Sequence, residues 1–153
     1  MKISILSIAK TKPNDSENIL MQEYIKRSRW DIDIKEFYTK NVDKDSEVQK
    51  LQESELLLDR KPQDSYLVSL DMGGKAFSSE EFASFLKNLQ VGSTSHCTFF
   101  IGGSHGHHQK LLDRSDYSIS LSKMTLPHKL ARLMLVEQLY RAESILNNHP
   151  YHK

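Results

Sequence analysis

Most residues that could do chemistry lie in the last third of the chain, between Phe99 and Lys153. Six of the seven histidines are there. So are a glycine turn at residues 102–106, a hydroxyl-rich loop at residues 120–128, and a polar C-terminal segment at residues 147–153. These segments predict a site assembled from loops, and the first question is what such a site binds.

Two glycine pairs follow short apolar stretches, Gly73-Gly74 after residues 65–70 and Gly102-Gly103 after residues 97–101. In open parallel sheets, ligands bind beyond the carboxyl ends of strands, where glycines allow a close backbone approach. Neither segment reads G-x-G-x-x-G or Gly-Lys-Ser/Thr, so a nucleoside is favoured over a triphosphate. Taken alone, each pair is also consistent with a turn that binds no ligand. In the first segment, Asp71 would then cap the turn or pair with a lysine. Together they predict the two walls of one pocket.

His105, His107 and His108 raise the possibility of a metal site. Zinc sites need three or four ligands at usable spacings, and no carboxylate or cysteine completes this set nearby. We therefore expect no metal, and exposed histidines at a polar helix start instead. A serine hydrolase is also disfavoured, because the chain has no G-x-S-x-G segment.

The loop at residues 120–128 mixes hydroxyls with apolar side chains. Its backbone could read the edge of an adenine while Leu121, Met124 and Leu126 cover the ring. Further along, Tyr140-Arg141 and the tail 151–153 add aromatic rings and cations that suit phosphate contact with base stacking. Arg141 is equally suited to balancing the dipole at the end of a helix.

The composition is that of one globular domain of 153 residues, with 38% hydrophobic and 27% charged residues. Its apolar runs are far too short to cross a membrane, and its first residues predict a strand rather than an export signal. With the single cysteine Cys97, this favours a reducing cytoplasm.

The net charge of +1 argues against a protein that binds nucleic acid indiscriminately. The charge is nevertheless unevenly distributed, since residues 31–60 hold nine acidic residues, whereas residues 104–153 hold four against seven Lys or Arg. A solvated surface explains this asymmetry as well as a phosphate-binding surface does.

Segments with strand and helix patterns alternate along the chain. Strands are predicted at residues 2–9, 32–38, 65–70, 97–101 and 117–121. Helices are predicted at residues 14–28 and 43–58, and around Phe82 to Leu89, where Ser78 and Glu81 form a capping box. This order predicts a single-domain α/β fold, with a mostly parallel sheet sandwiched by helices.

The last predicted helix runs from about His128 to Ile145, after Pro127. Its run of four apolar residues at 133–136 places apolar side chains on every face, so both sides must be covered. Either the helix is central to the core, or one face packs against a partner subunit. We favour the partner, because a domain of this size has few elements with which to surround a helix.

At this point the sequence resembles a known family, the ribosomal RNA large-subunit methyltransferase H family, a small branch of the SPOUT methyltransferases. The resemblance covers the whole chain, and the block from Ser120 to His128 with the terminal Tyr-His is its most specific part. The matching motifs are Leu70-Asp71-x-x-Gly-Lys, Ile101-Gly102-Gly103, Ser120-Leu121-Ser122-x-Met124-Thr125-Leu126-Pro127-His128, Glu137-Gln138-x-Tyr140-Arg141-Ala142 and Tyr151-His152-Lys153.

The resemblance implies a single SPOUT domain over residues 1–153, with a trefoil knot formed by roughly residues 99–153. It also implies a homodimer that binds S-adenosylmethionine and methylates N3 of a pseudouridine in 23S rRNA of the assembled ribosome, without a membrane or a metal. The rivals are a non-enzymatic RNA- or nucleotide-binding module and a histidine-dependent metal hydrolase.

The resemblance also assigns residues to roles. It implies that the catalytic residues are His128, Arg141 and Tyr151, and that the RNA contacts are Arg141, His152 and Lys153. The implied cofactor contacts are Leu70, Gly102, Gly103, Leu121, Ser122, Lys123, Met124, Thr125 and Leu126. Some family members have a proline and an acidic residue where this chain has Ser104-His105, so His105 receives no role.

Overall fold

Five strands and five helices alternate along the chain in the computed structural model, which describes all of residues 1–153. They are β1 (Lys2–Ile8), α1 (Ser16–Arg27), β2 (Asp31–Phe37), α2 (Ser46–Arg60), β3 (Tyr66–Ala76), α3 (Ser79–Val91), β4 (His96–Ile101), α4 (Gln109–Arg114), β5 (Tyr117–Ser120) and α5 (His128–Leu146). The predicted strands are confirmed, apart from the end of β3. The predicted capping box before α3 is also present, since the side chains of Ser78 and Glu81 each accept a hydrogen bond from the other's backbone N–H.

The five strands form one parallel sheet in the order β2-β1-β4-β3-β5. Strands β1 and β4 are central, and Ile5 pairs with Phe99, which in turn pairs with Val68 on β3. Because every strand runs in the same direction, all five carboxyl ends lie along one edge of the sheet. The loops that follow the strands therefore meet at that edge, which is where ligands bind in open parallel sheets.

Each face of the sheet carries its own apolar core, because successive strand residues point to opposite faces. On one face, residues such as Ile5 and Phe99 pack against α1, α3 and α5. On the other, Leu6 and Phe100 pack against Leu57 of α2 and other residues of that cluster. The three-layer α/β arrangement predicted from the order of elements is confirmed.

Helix α5 is buried on one side and exposed on the other. Leu135, Val136 and Leu139 have no exposed surface, whereas Leu130 and Met134 are 41% and 43% exposed. The apolar run therefore faces both the core and the surface, and the chain alone leaves one side of the helix uncovered. No helix in the structure combines the length and the apolar character that a membrane span requires.

Candidate functional site

A pocket of about 620 Å³ opens at the carboxyl edge of the sheet, between residues 70–72 of β3 and the segments that follow β4 and β5. This volume lies within the range of roughly 300–1,000 Å³ that is usual for small-molecule sites. Its lining is formed by residues 70–72, 101–106, 120–122, 124–128 and 131. The prediction that the two glycine pairs form the two walls of one pocket holds for Gly102-Gly103, which line it, and is wrong for Gly73-Gly74, which do not.

The Gly102-Gly103 wall is a tight turn that also faces the pocket. The backbone N–H of Gly106 donates to the carbonyl of Gly103 at 3.1 Å, and Gly106 has a φ of +77°, a conformation that favours glycine. A Cβ on Gly102 would lie 2.9 Å from the backbone of Gly106, and one on Gly103 would lie 2.6 Å from a carboxylate oxygen of the buried Glu53. Both positions therefore exclude a side chain.

The Gly73-Gly74 pair has a different role from the one predicted. Strand β3 does not end before it but continues to Ala76, with an irregularity in its pairing to β5 between Leu70 and Lys75. Asp71 accepts a hydrogen bond from the N–H of Gly73 at 2.8 Å, which confirms the alternative in which it caps a turn. A Cβ on Gly74 would lie 2.6 Å from the backbone of Ile119, so this glycine lets β3 pass close to β5.

Hydrogen bonds of its own hydroxyl groups hold the loop between β5 and α5 in its conformation. Ser120 donates to the carbonyl of Ser122 at 2.9 Å, and the Ser122 hydroxyl accepts from the N–H of Met124 at 2.9 Å. The hydroxyl of Thr125 lies 3.6 Å from the sulfur of Met72, which links this loop to the β3 wall. The resulting wall presents both apolar side chains and backbone polar groups to the pocket.

The structure brings eight of the nine expected cofactor residues together at the pocket. Only Lys123 does not line it, and this side chain is exposed. The pocket also includes residues that the sequence reasoning did not single out as contacts, among them Met72, His105 and Ala131. Met72 lies within β3 and directly follows the recognised Leu70-Asp71 pair, and this adjacency is the signal that the sequence offers.

His128 is the first residue of α5 and lines the pocket. One helical turn further, Arg132 is 1% exposed and pairs with the carboxylate of Glu36. That carboxylate also accepts from the backbone N–H of Thr11 at 2.8 Å. Burial lowers the pKa of the Arg132 guanidinium. Arg132 thus joins the start of α5 to the end of β2 and, through Glu36, to the segment after β1, a contact that the sequence did not indicate.

Arg141 and Tyr151 form a second cluster around Glu137. The Tyr151 hydroxyl donates to Glu137 Oε1 at 2.9 Å, and the Arg141 guanidinium donates to the same oxygen at 2.6 Å. The guanidinium also lies over the Tyr151 ring, 4.7 Å from its centroid. Burial, with hydrogen bonds to Tyr24 and Glu137, raises the pKa of Tyr151 well above its usual value. Tyr151 is therefore a hydrogen-bond donor here and a neutral phenol.

The tail and the pocket are separate within one chain. His152 lies 2.9 Å from a carboxylate oxygen of Glu80, and neither His152 nor Lys153 lines the pocket. Arg141 follows His128 by 13 residues of continuous helix, which places it about 20 Å further along α5. One chain therefore does not bring His128 together with Arg141 and Tyr151.

The histidines of the glycine segment occupy three different environments. His105 is exposed, as expected, and His108 caps α4 by accepting from the N–H of Lys110 at 3.1 Å. The expectation of a surface position is wrong for His107, which is only 6% exposed, with Nε2 3.2 Å from the Phe100 carbonyl. The turn at Gly106 directs this side chain inward. No group of three or more His, Cys, Asp or Glu residues is arranged to hold a metal ion.

The burial of His107 predicts a pH dependence of stability. Burial lowers the pKa of its imidazole below the ordinary value of 6.5, so the folded state takes up its proton less readily than the unfolded state. The stabilising contribution of the neutral ring is complete above about pH 6.5 and is lost as the pH falls toward the lowered pKa.

We expect His107→Leu to flatten the fall in unfolding temperature between pH 7.5 and 5.5, as measured by circular dichroism. His105→Ala, at an exposed position, is the matched control and should retain the wild-type slope. An unchanged slope in His107→Leu would contradict this assignment.

Known proteins with similar sequences indicate the family to which this chain belongs. The model of the family described as "Predicted SPOUT methyltransferase" matches residues 1–152. A protein of Legionella pneumophila (strain Paris) named ribosomal RNA large subunit methyltransferase H is 45% identical, covering 100% of this chain and 99% of that protein. Proteins of the same name in Ruminiclostridium cellulolyticum and Halothermothrix orenii are 42% and 39% identical, each covering both chains completely. The chain therefore belongs to the SPOUT methyltransferase family.

Proposed function

We propose that this protein is an S-adenosylmethionine-dependent methyltransferase that methylates N3 of a pseudouridine in 23S rRNA of the assembled ribosome. The observation that carries the proposal is the pocket at the carboxyl edge of the sheet, walled by Gly102-Gly103 and the 120–128 loop in a chain of the SPOUT family. The printed name of its relatives supports ribosomal RNA as the substrate.

The pocket fits the proposed cofactor. Gly102 and Gly103 line the pocket with backbone alone, and Leu121, Met124 and Leu126 supply apolar surface for an adenine ring. These residues, with Leu70, Ser122 and Thr125, would hold it. The cofactor supplies an electrophilic methyl group on a sulfonium, so the chain's main contribution is to orient the reacting atoms.

His128 is the proposed residue that positions the base or accepts its N3 proton. It is the only residue of the proposed catalytic set that lines the pocket, and it is held at the first turn of a helix whose next turn is fixed by Arg132. Tyr151 suits a positioning role, because its hydroxyl donates to Glu137 and its raised pKa keeps that hydroxyl protonated. Arg141, His152 and Lys153 would contact RNA phosphates.

A homodimer would complete the site. Within one chain the Arg141–Tyr151 cluster lies about 20 Å from His128, so both can act on one substrate only if a second chain supplies one of them. The exposed apolar residues Leu130 and Met134, one helical turn apart on α5, offer a surface for that second chain. The SPOUT fold also implies a trefoil knot, which we place at roughly residues 99–153.

The function is tested by following labelled methyl groups from S-adenosylmethionine into ribosomes and into protein-free 23S rRNA. The net charge of only +1 disfavours tight binding to naked RNA, so we expect assembled ribosomes to be methylated at least tenfold faster than naked RNA. Equal rates would contradict the assembled ribosome as the substrate. Binding of ribosomes without any methyl transfer would instead favour a non-enzymatic module.

A further inference from the structure

The sheet edge that holds the pocket also carries a cationic and aromatic surface at the ends of β1 and β2. Lys10 follows β1, and Tyr38 follows β2 and is 51% exposed. The ammonium of Lys10 lies 4.8 Å from the centroid of the Tyr38 ring. With the exposed Lys12 and Lys40, they form a surface that we call the Tyr38 patch. No role assigned above uses it.

The patch lies close to the pocket because the strands are neighbours. In the order β2-β1-β4, the end of β1 is one strand spacing from the end of β4 and the end of β2 is two, or about 5 and 10 Å. The Gly102-Gly103 wall begins directly after β4. A flexible strand of nucleic acid lying along this edge would therefore contact both.

The backbone under the patch is fixed. The N–H of Ala9 donates to the carbonyl of Phe37 at 2.9 Å, and Glu36 accepts from the N–H of Thr11. Beyond Tyr38, the Thr39 hydroxyl accepts from the side-chain amide of Gln49 at 2.9 Å. These contacts hold the backbone that carries Tyr38 and Lys10 in place before any partner arrives, which lowers the entropic cost of binding.

The same contacts connect the patch to the pocket. Glu36 pairs with Arg132, which lies one turn after His128 on α5. A partner bound to the patch would thus lie on a surface rigidly joined to the pocket wall that carries His128.

The charges of the patch favour a polyanion. None of Lys10, Lys12 and Lys40 forms a salt bridge, whereas the carboxylate of Glu36 pairs with Arg132. Asp15 pairs with Lys129, and Asp45 caps the first turn of α2. Lysine is depleted at protein–protein interfaces, whereas aromatic rings beside cations are typical of single-stranded RNA binding.

We propose that the Tyr38 patch binds a single-stranded segment of ribosomal RNA, with a base stacked on Tyr38 and phosphates on the lysines, and so holds the substrate over the pocket. This rests on the proposed function and adds a contact surface on the opposite half of the sheet edge from the loop at residues 120–128.

The test is ribosome binding, measured by cosedimentation at several salt concentrations. We expect Tyr38→Ala to weaken binding about tenfold, because stacking on an aromatic ring contributes substantially per base. Tyr38→Phe keeps the ring and should bind like the wild type. The double variant Lys10→Ala/Lys12→Ala should bind more weakly and show a shallower salt dependence.

The controls separate this role from folding and from the proposed chemistry. Lys87→Ala, an exposed lysine on α3, should bind like the wild type, and all variants should keep the wild-type unfolding temperature. Wild-type ribosome binding by Tyr38→Ala would overturn the proposal that the Tyr38 patch binds ribosomal RNA. Binding that depends on Tyr38 in a protein that transfers no methyl group would support the patch while overturning the proposed function.

Crosslinking identifies whether rRNA or a ribosomal protein contacts the Tyr38 patch. A photoreactive benzoylphenylalanine at position 38, irradiated on ribosomes, should capture rRNA. Capture of a ribosomal protein alone would overturn RNA as the occupant.

Discussion

His128→Ala should lower the rate of methyl transfer to ribosomes about 100-fold or more at saturating substrates, while S-adenosylmethionine affinity changes less than twofold. A residue that positions a base or accepts its proton contributes on the order of 10²–10⁴ in rate. His128 lines the pocket at the start of α5. Most of the lining comes from the glycine turn and the 120–126 loop. Single-turnover transfer of labelled methyl and calorimetric titration measure the two quantities.

Two further variants test whether the effect is specific to His128 and whether its imidazole accepts a proton. His105→Ala removes another pocket-lining histidine, one without a proposed role, and should keep activity within about twofold. His128→Gln retains a hydrogen-bonding side chain but cannot accept a proton as imidazole does. Near-normal activity in His128→Gln would indicate positioning alone, and wild-type activity in His128→Ala would remove the residue from the chemistry.

Gly102→Ala should weaken S-adenosylmethionine binding by roughly 10- to 100-fold and lower stability by about 1–3 kcal/mol. The added Cβ would lie 2.9 Å from backbone atoms of Gly106, and backbone cannot move aside as the end of a flexible side chain can. The turn must therefore open, which displaces the wall that faces the pocket. Calorimetric titration and thermal unfolding report the two effects.

Gly92→Ala is the matched control for that substitution. Gly92 ends α3 with a negative φ, and its added Cβ would approach no atom closer than 3.3 Å. We expect wild-type cofactor affinity in this variant. Equal affinity in Gly102→Ala would show that the turn does not contact the cofactor.

Much of the fold follows from local sequence patterns. The short apolar strands and the Ser78–Glu81 capping box depend on neighbouring residues, so spacing alone locates them. The Gly102-Gly103 wall of the pocket follows from a general property of parallel sheets, whereas Gly73-Gly74 lies within β3 and does not line the pocket. The resemblance places His128 and Arg141 in one catalytic set, although the predicted last helix separates them by about 20 Å.

Other features depend on contacts between distant parts of the chain. The segment containing His107 is polar, and only the direction of the turn at Gly106 places that ring inside. Arg132 is buried because Glu36, nearly one hundred residues earlier, is its partner. Strand β3 runs through Gly73-Gly74 because β5 lies beside it, and a knot depends on threading rather than on residue pattern.

The position of β1 between β2 and β4 also determines when the protein can fold during its own synthesis. Leu6 pairs with Phe100, so the centre of the sheet joins two residues that lie 94 positions apart in the chain. At about 5–20 residues per second, the N-terminal strand is made roughly 5–20 seconds before its partner exists. During that interval the apolar residues of β1 and β2 have no completed core to enter. The nascent chain therefore cannot complete the centre of its sheet until β4 has left the ribosome.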